Sequence, residues 1–299
     1  MLMTGEVHTA LLRGPGPLGP GPARRLVDLV VGEPVLMSHR PIAYVRSPAI
    51  PVGVDCAIAP ARRERGVGTV LQHASVTGGH VVQGSAAAVL VRAEGSARRP
   101  WSHYLTRPGV IETLGRATGH ELAAALAGTD RPGDALDLGA IAGRVADRVQ
   151  RSAPSGGPAR LRASRTRLRW TARTGAEPVV RFSVRSDGLR LLELSTGDDP
   201  LQPAAATALA EDVALHDWLL STLLEMVERS AIGVIERRAS LERLLPAIDY
   251  LLHLWMPGAR GPDVVNAVWT ALDRRPGFSR HWDTLVHRIR DQLSVASGR

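Results

Sequence analysis

Arg165-Thr166-Arg167-Leu168-Arg169-Trp170 alternates charged and less polar side chains at period two. In a strand this places Arg165, Arg167 and Arg169 on one face and Thr166, Leu168 and Trp170 on the other. After a break at Gly175 to Pro178, Val179 to Arg185 alternates again, with Val180, Phe182 and Val184 inward and Arg181 and Arg185 outward. A third run, Leu189 to Leu194, follows Asp187-Gly188, a dipeptide that favours a two-residue hairpin turn. The expectation is an antiparallel meander of three strands, apolar on one side and arginine-bearing on the other.

Working outward, the 299-residue chain is long enough to bury a sizeable core. Its 44% hydrophobic and 22% charged content is that of a globular protein rather than a disordered one. All of its 37 basic residues are arginine and its one asparagine is Asn266. That Ala-, Gly-, Pro- and Arg-rich profile is what a GC-rich gene produces, so a basic total by itself says little about partners. Position says more: net charge is +5 over residues 1–156, +6 over 157–197 and −3 over 198–299. The arginine-bearing strands are therefore the most basic part of the chain.

N-terminal to them, Glu6 to Arg13, Val35 to Val45, Gly53 to Ile58, Gly68 to Ser75 and His80 to Ala93 have the β-branched and small-residue content of strands. They are separated by Gly/Pro-rich turns such as Thr77-Gly78-Gly79. A short helix is expected at Ala23 to Val31, another at Glu121 to Ala127, and a third at Leu138 to Arg151 behind an Asp137 cap. Ser152 to Pro158 is a candidate linker. From Ala204 the period becomes helical, with four helices expected at Ala204 to Gly233, Leu241 to Met256, Val264 to Leu272 and His281 to Leu293. The fold class is α+β: an antiparallel sheet, as a sandwich or partial barrel, over residues 1–197, with a helical subdomain over 198–299.

Chemistry-bearing motifs are scarce. Gly66-Val67-Gly68-Thr69 lacks the spacing and terminal Lys-Ser/Thr of a phosphate loop, and there is no serine elbow, His-Glu-x-x-His pair or acidic calcium loop. The single Cys56 excludes an internal disulfide and a multi-cysteine zinc site, and reads as a small buried residue. His73, His80 and His103 lie in or beside strands, so an enzyme site near His80 and His103, shaped by Trp101 and Tyr104, is one alternative. His216-Asp217-Trp218 sits within a helix, where neighbouring side chains diverge by about 100 degrees; His216 and Trp218 read as packing residues and Asp217 as an arginine's partner. No cofactor and no metal site is expected. No apolar run spans a bilayer and no signal peptide is read, so a cytoplasmic protein is expected.

Arg40-Pro41-Ile42-Ala43-Tyr44, Gly53-Val54-Asp55-Cys56, Arg65-Gly66-Val67-Gly68-Thr69, Thr77-Gly78-Gly79-His80, Pro100-Trp101-Ser102-His103-Tyr104-Leu105, the Arg165 to Trp170 run and Leu215-His216-Asp217-Trp218-Leu219-Leu220 together resemble an uncharacterised family of actinobacterial proteins. The resemblance runs from residue 40 to 220. It implies a small gene cluster that also encodes a variant P-loop protein, and carries no activity and no catalytic residue. The functional expectation is a non-enzymatic scaffold subunit with that P-loop partner, docking through Arg165, Arg167, Arg169, Arg181 and Arg185. Sequence-nonspecific nucleic-acid binding by the same face is the other alternative; against it, Trp170 and Phe182 fall on the face opposite the arginines.

Overall fold

The computed structural model describes residues 1–14, 16–39, 41–59, 64–128, 133–154, 161–175, 178–185, 188–197, 201–230, 237–258 and 264–297. Among the described residues ten strands form one sheet: β1 (Leu2–Leu11), β2 (Leu36–Ser38), β3 (Tyr44–Arg46), β4 (Ile50–Ala59), β5 (Glu64–Thr77), β6 (Val81–Arg92), β7 (Val110–Leu114), β8 (Thr166–Arg173), β9 (Pro178–Val184) and β10 (Leu189–Thr196). Their order is β2-β3-β5-β7-β6-β1-β8-β10-β9, with β4 pairing along β5 beyond the end of β3. The class is α+β, and most pairings are antiparallel. Two are parallel, β6 with β7 and β8 with β10, so the sheet is mixed.

The layers follow from side-chain alternation. On β1, Met3 and Val7 point into one apolar cluster and Leu2 and Ala10 into others on the opposite face. A strand apolar on both faces must be covered twice. One cover consists of α1 (Pro20–Val27), α3 (Gly119–Ala127) and α4 (Leu138–Ser152), the other of the long α5 (Pro203–Arg229). Short α2 (Trp101–Leu105) sets Trp101 against Gly53 of β4. Behind α5 lie α6 (Arg237–Tyr250), a single 3-10 turn at Leu252–Leu254, α7 (Val264–Arg274) and α8 (Phe278–Ser297), the C-terminal helices that the periodicity predicts. The expected sandwich or partial barrel is thus replaced by helix–sheet–helix layers.

Local chemistry places these elements. Gly78 and Gly79 take φ of 58° and 74°, the left-handed turn that closes β5 onto β6. Asp137 caps α4 by accepting from the Ala140 amide at 2.9 Å, as its sequence position predicts. The sheet-facing positions of α4 are small, and a Cβ at Gly84 of β6 would lie 2.2 Å from the Ala142 carbonyl oxygen. Helix and sheet backbones therefore approach closely above β1 and β6.

The expected meander is corrected. Only the β9–β10 pair is an antiparallel neighbour pair; β10 lies between β8 and β9 and runs parallel to β8, with Leu191 opposite Arg169. The reason lies in the side chains. β10 has leucine on both faces, with Leu189, Leu191, Leu192 and Leu194 all buried, so it needs cover above and below, which an interior strand receives more fully than an edge strand. β9 begins with Pro178, which has no N–H for a ladder, and exposes Arg181, so it suits the edge. The Arg185 amide donates to the Leu189 carbonyl at 3.0 Å, joining β9 to β10. Asp187 of the expected turn, part of the Gly175–Pro178 break and most of the Ser152–Pro158 linker lie outside the described residues.

Candidate functional site

The register decides what becomes of the five arginines. Arg167 pairs with His8 and Leu189, Arg169 with Glu6 and Leu191, and Arg181 with Glu193, which in turn faces Thr171. Paired residues share a face, so Arg167, Arg169, Arg181 and Arg185 lie on the same side of the sheet, and Trp170 and Phe182 on the other. There Trp170 and Phe182 join the apolar cluster beneath α5, with Phe182 edge-on to Phe278.

The structure removes two of the five from the open face. Arg169 is 7% exposed. Its Nε donates to Glu6 Oε2 at 3.0 Å and its Nη1 to the Gly128 carbonyl at 2.5 Å, at the end of α3. Glu6 is wholly buried; burial pushes its carboxyl up, but His8 and the Arg169 guanidinium outweigh this and hold it down at about 2. Arg169 is therefore one half of an internal ion pair. Arg165 precedes β8 and is bound to Asp147 of α4 at 2.5 Å, holding that carboxyl below the usual aspartate range.

Arg167, Arg181 and Arg185 remain exposed, joined by Arg173 at the end of β8. None of these four forms an ion pair among the described residues. Glu193 is the acid in register with them. The outer edge of β9 pairs with no strand among the described residues, and Val184 on it is 58% exposed. The result is a basic, open sheet edge whose aromatic residues face inward.

The histidines separate. His80 is held at the β5–β6 turn, its ring bonded to the Gly78 and Tyr250 carbonyls, and burial pushes its pKa down. His103 bonds Glu112 at 2.8 Å, and Arg107 reaches the same carboxylate oxygen. Glu112 pairs with Val67, ten residues along β5 from the Thr77 end that carries His80. At the rise of a strand that is on the order of 30 Å, so the two histidines share no site. His216 is buried between Trp255 and Trp269, accepting from the Met256 amide, and Asp217 accepts from Arg190 at 2.8 Å, the packing roles their positions predict.

His73 finds a partner that sequence separation concealed. Its Nε2 lies 2.5 Å from Glu211 Oε1 of α5, and both are buried at 8% and 6% exposure. The one hint was an acid set within an apolar helical stretch, Leu209-Ala210-Glu211-Asp212-Val213. Among the described residues no group of three or more His, Cys, Asp or Glu could hold a metal ion, and no helix is long and apolar enough to cross a membrane. No protein-family model, curated protein or solved structure matches the chain.

Proposed function

We propose that this chain is a non-enzymatic cytoplasmic interaction subunit that docks an acidic surface of a P-loop partner onto the β9 edge. The observation that carries the reading is the unpaired cluster of Arg167, Arg181 and Arg185 around an open edge strand. Exposed guanidiniums on a rigid sheet present fork-shaped donors to carboxylates at low cost in order, and an open strand edge offers backbone groups for a partner strand. Arg165 and Arg169 support the surface from within, through Asp147 and Glu6. The aromatic residues a single-strand platform would stack on are turned into the core, which favours a protein partner over nucleic acid.

The test is affinity purification of the tagged chain from its own host, with and without nuclease, in the native form and with Arg167, Arg181 and Arg185 all changed to Glu. A control changes the exposed Arg238 and Arg243 of α6 to Glu. The reading expects a P-loop protein to copurify regardless of nuclease, to be lost with the triple variant and to persist with the control. Retention by the triple variant refutes it. Recovery of nucleic acid that is lost steeply with salt transfers the face to phosphate binding.

A further inference from the structure

The face of the sheet under α5 is not filled evenly. Reading across β8, β1, β6 and β5, one registered row is Trp170–Gly5–Ala87–Leu71. The indole of Trp170 lies over Gly5, where a Cβ would fall 2.5 Å from it, and the next residue in the row is the short Ala87. The next row toward one end is Met3–Val89; the next toward the other is Val7–Ser85–His73, and beyond it Arg46 of β3 faces Ser75. Since α5 begins at Pro203, its first turn roofs this hollow rather than filling it.

The result is a cavity of about 380 Å³, within the range of small-molecule sites. Met3, Leu71, Val89 and Trp170 give it apolar walls, while Arg46 and His73 line its polar end. No acid is among its lining residues. Glu211 sits behind His73 and fixes that ring through Nε2, and the other ring nitrogen makes no hydrogen bond among the described residues. Burial pushes the Glu211 carboxyl up, but the His73 ring and then the charge of the Arg46 guanidinium outweigh it and hold it down, and its hydrogen bond anchors the ring. The indole N–H of Trp170, 1% exposed, also finds no acceptor among the described residues.

We infer that this cavity binds one small molecule with an apolar body and a carboxylate head, the body lying on the Leu71–Ala87–Trp170 floor and the head on the Arg46 guanidinium. An anionic head fits because Arg46 brings a charged donor to the polar end while no acid is among the residues that line the cavity. This site is on the opposite face of the sheet from the exposed arginines, so it stands independently of the docking reading.

Isothermal titration with octanoate, octanol and octylammonium on the native chain tests this without any variant. The expected result is 1:1 binding of octanoate, at least about tenfold tighter than octanol, the worth of one charge-assisted hydrogen bond, with octylammonium the weakest. Ala87→Leu, checked for an unchanged melting temperature, is expected to lower the affinity for octanoate and octanol alike by tenfold or more. Arg46→Gln, at a half-buried position, is expected to weaken octanoate by about tenfold and leave octanol unchanged. Absence of 1:1 octanoate binding at millimolar concentration, equal binding of octanoate and octylammonium, or a folded Ala87→Leu chain that binds as before would each overturn the inference.

Discussion

Replacing Arg169 by Met would leave Glu6 as a buried carboxylate without its guanidinium partner. Glu6 is fully enclosed beneath α4, with Gly139 packed directly over it, and Arg169 Nε donates to it at 3.0 Å. Breaking one side of such a pair costs about 3 to 5 kcal/mol, because the remaining charge stays desolvated. The carboxyl itself is held at about 2 instead of 4.5, the net of burial, which raises it, and of His8 and Arg169 together, which lower it. At about 1.4 kcal/mol per pH unit this corresponds to about 3 kcal/mol. The sign follows from the depressed value: the contribution is complete above pH 4.5 and is lost as pH falls toward 2. Urea unfolding of the native chain, Arg169→Met, Glu6→Gln and the double variant, followed from pH 7 to 3, reads both effects. Arg169→Met is expected to lose about 3 to 5 kcal/mol at pH 7, and the double variant to recover much of it. Glu6→Gln is expected to flatten the acid limb below pH 4.5. An Arg169→Met cost below about 1 kcal/mol at pH 7, or an acid limb unchanged by Glu6→Gln, would refute the pairing argument.

Two further predictions rest on packing and burial. Gly84→Ala places a Cβ 2.2 Å from the Ala142 carbonyl, so α4 must lift off the sheet, whereas Gly143→Ala meets only the His8 ring at 3.2 Å; thermal unfolding should show the first losing about 1 to 3 kcal/mol or more and the second distinctly less. Burial and the neighbouring Asp55 carboxylate push the Cys56 thiol up from 9.0 to about 11, so near pH 8 it should react with a disulfide reagent roughly a hundredfold more slowly than an unperturbed thiol and speed up on denaturation.

What could be read from sequence was local. Period-two alternation at Arg165 to Trp170 assigned the arginines and Trp170 to opposite faces, and the helical period located α5, α7 and α8 within a few residues. Strand order was not local: the parallel placement of β10 beside β8 depends on leucines that demand cover on both faces, a property of the assembled sheet. Alternation also cannot distinguish an outward arginine from one covered by another element. Arg169 looks like Arg167 in sequence, and Glu6, 163 residues away, together with the Gly128 carbonyl makes it internal. Glu211 and His73 are likewise joined across 138 residues.

The docking claim is tested most directly by hydrogen exchange on the chain mixed with the proposed P-loop partner against the free chain. Slowed exchange is expected in residues 178–185, β9 and the residue that follows it, and in the segments carrying Arg167 and Arg173, with α6 unchanged. Protection confined to other surfaces, with residues 178–185 exchanging as in the free chain, would contradict it.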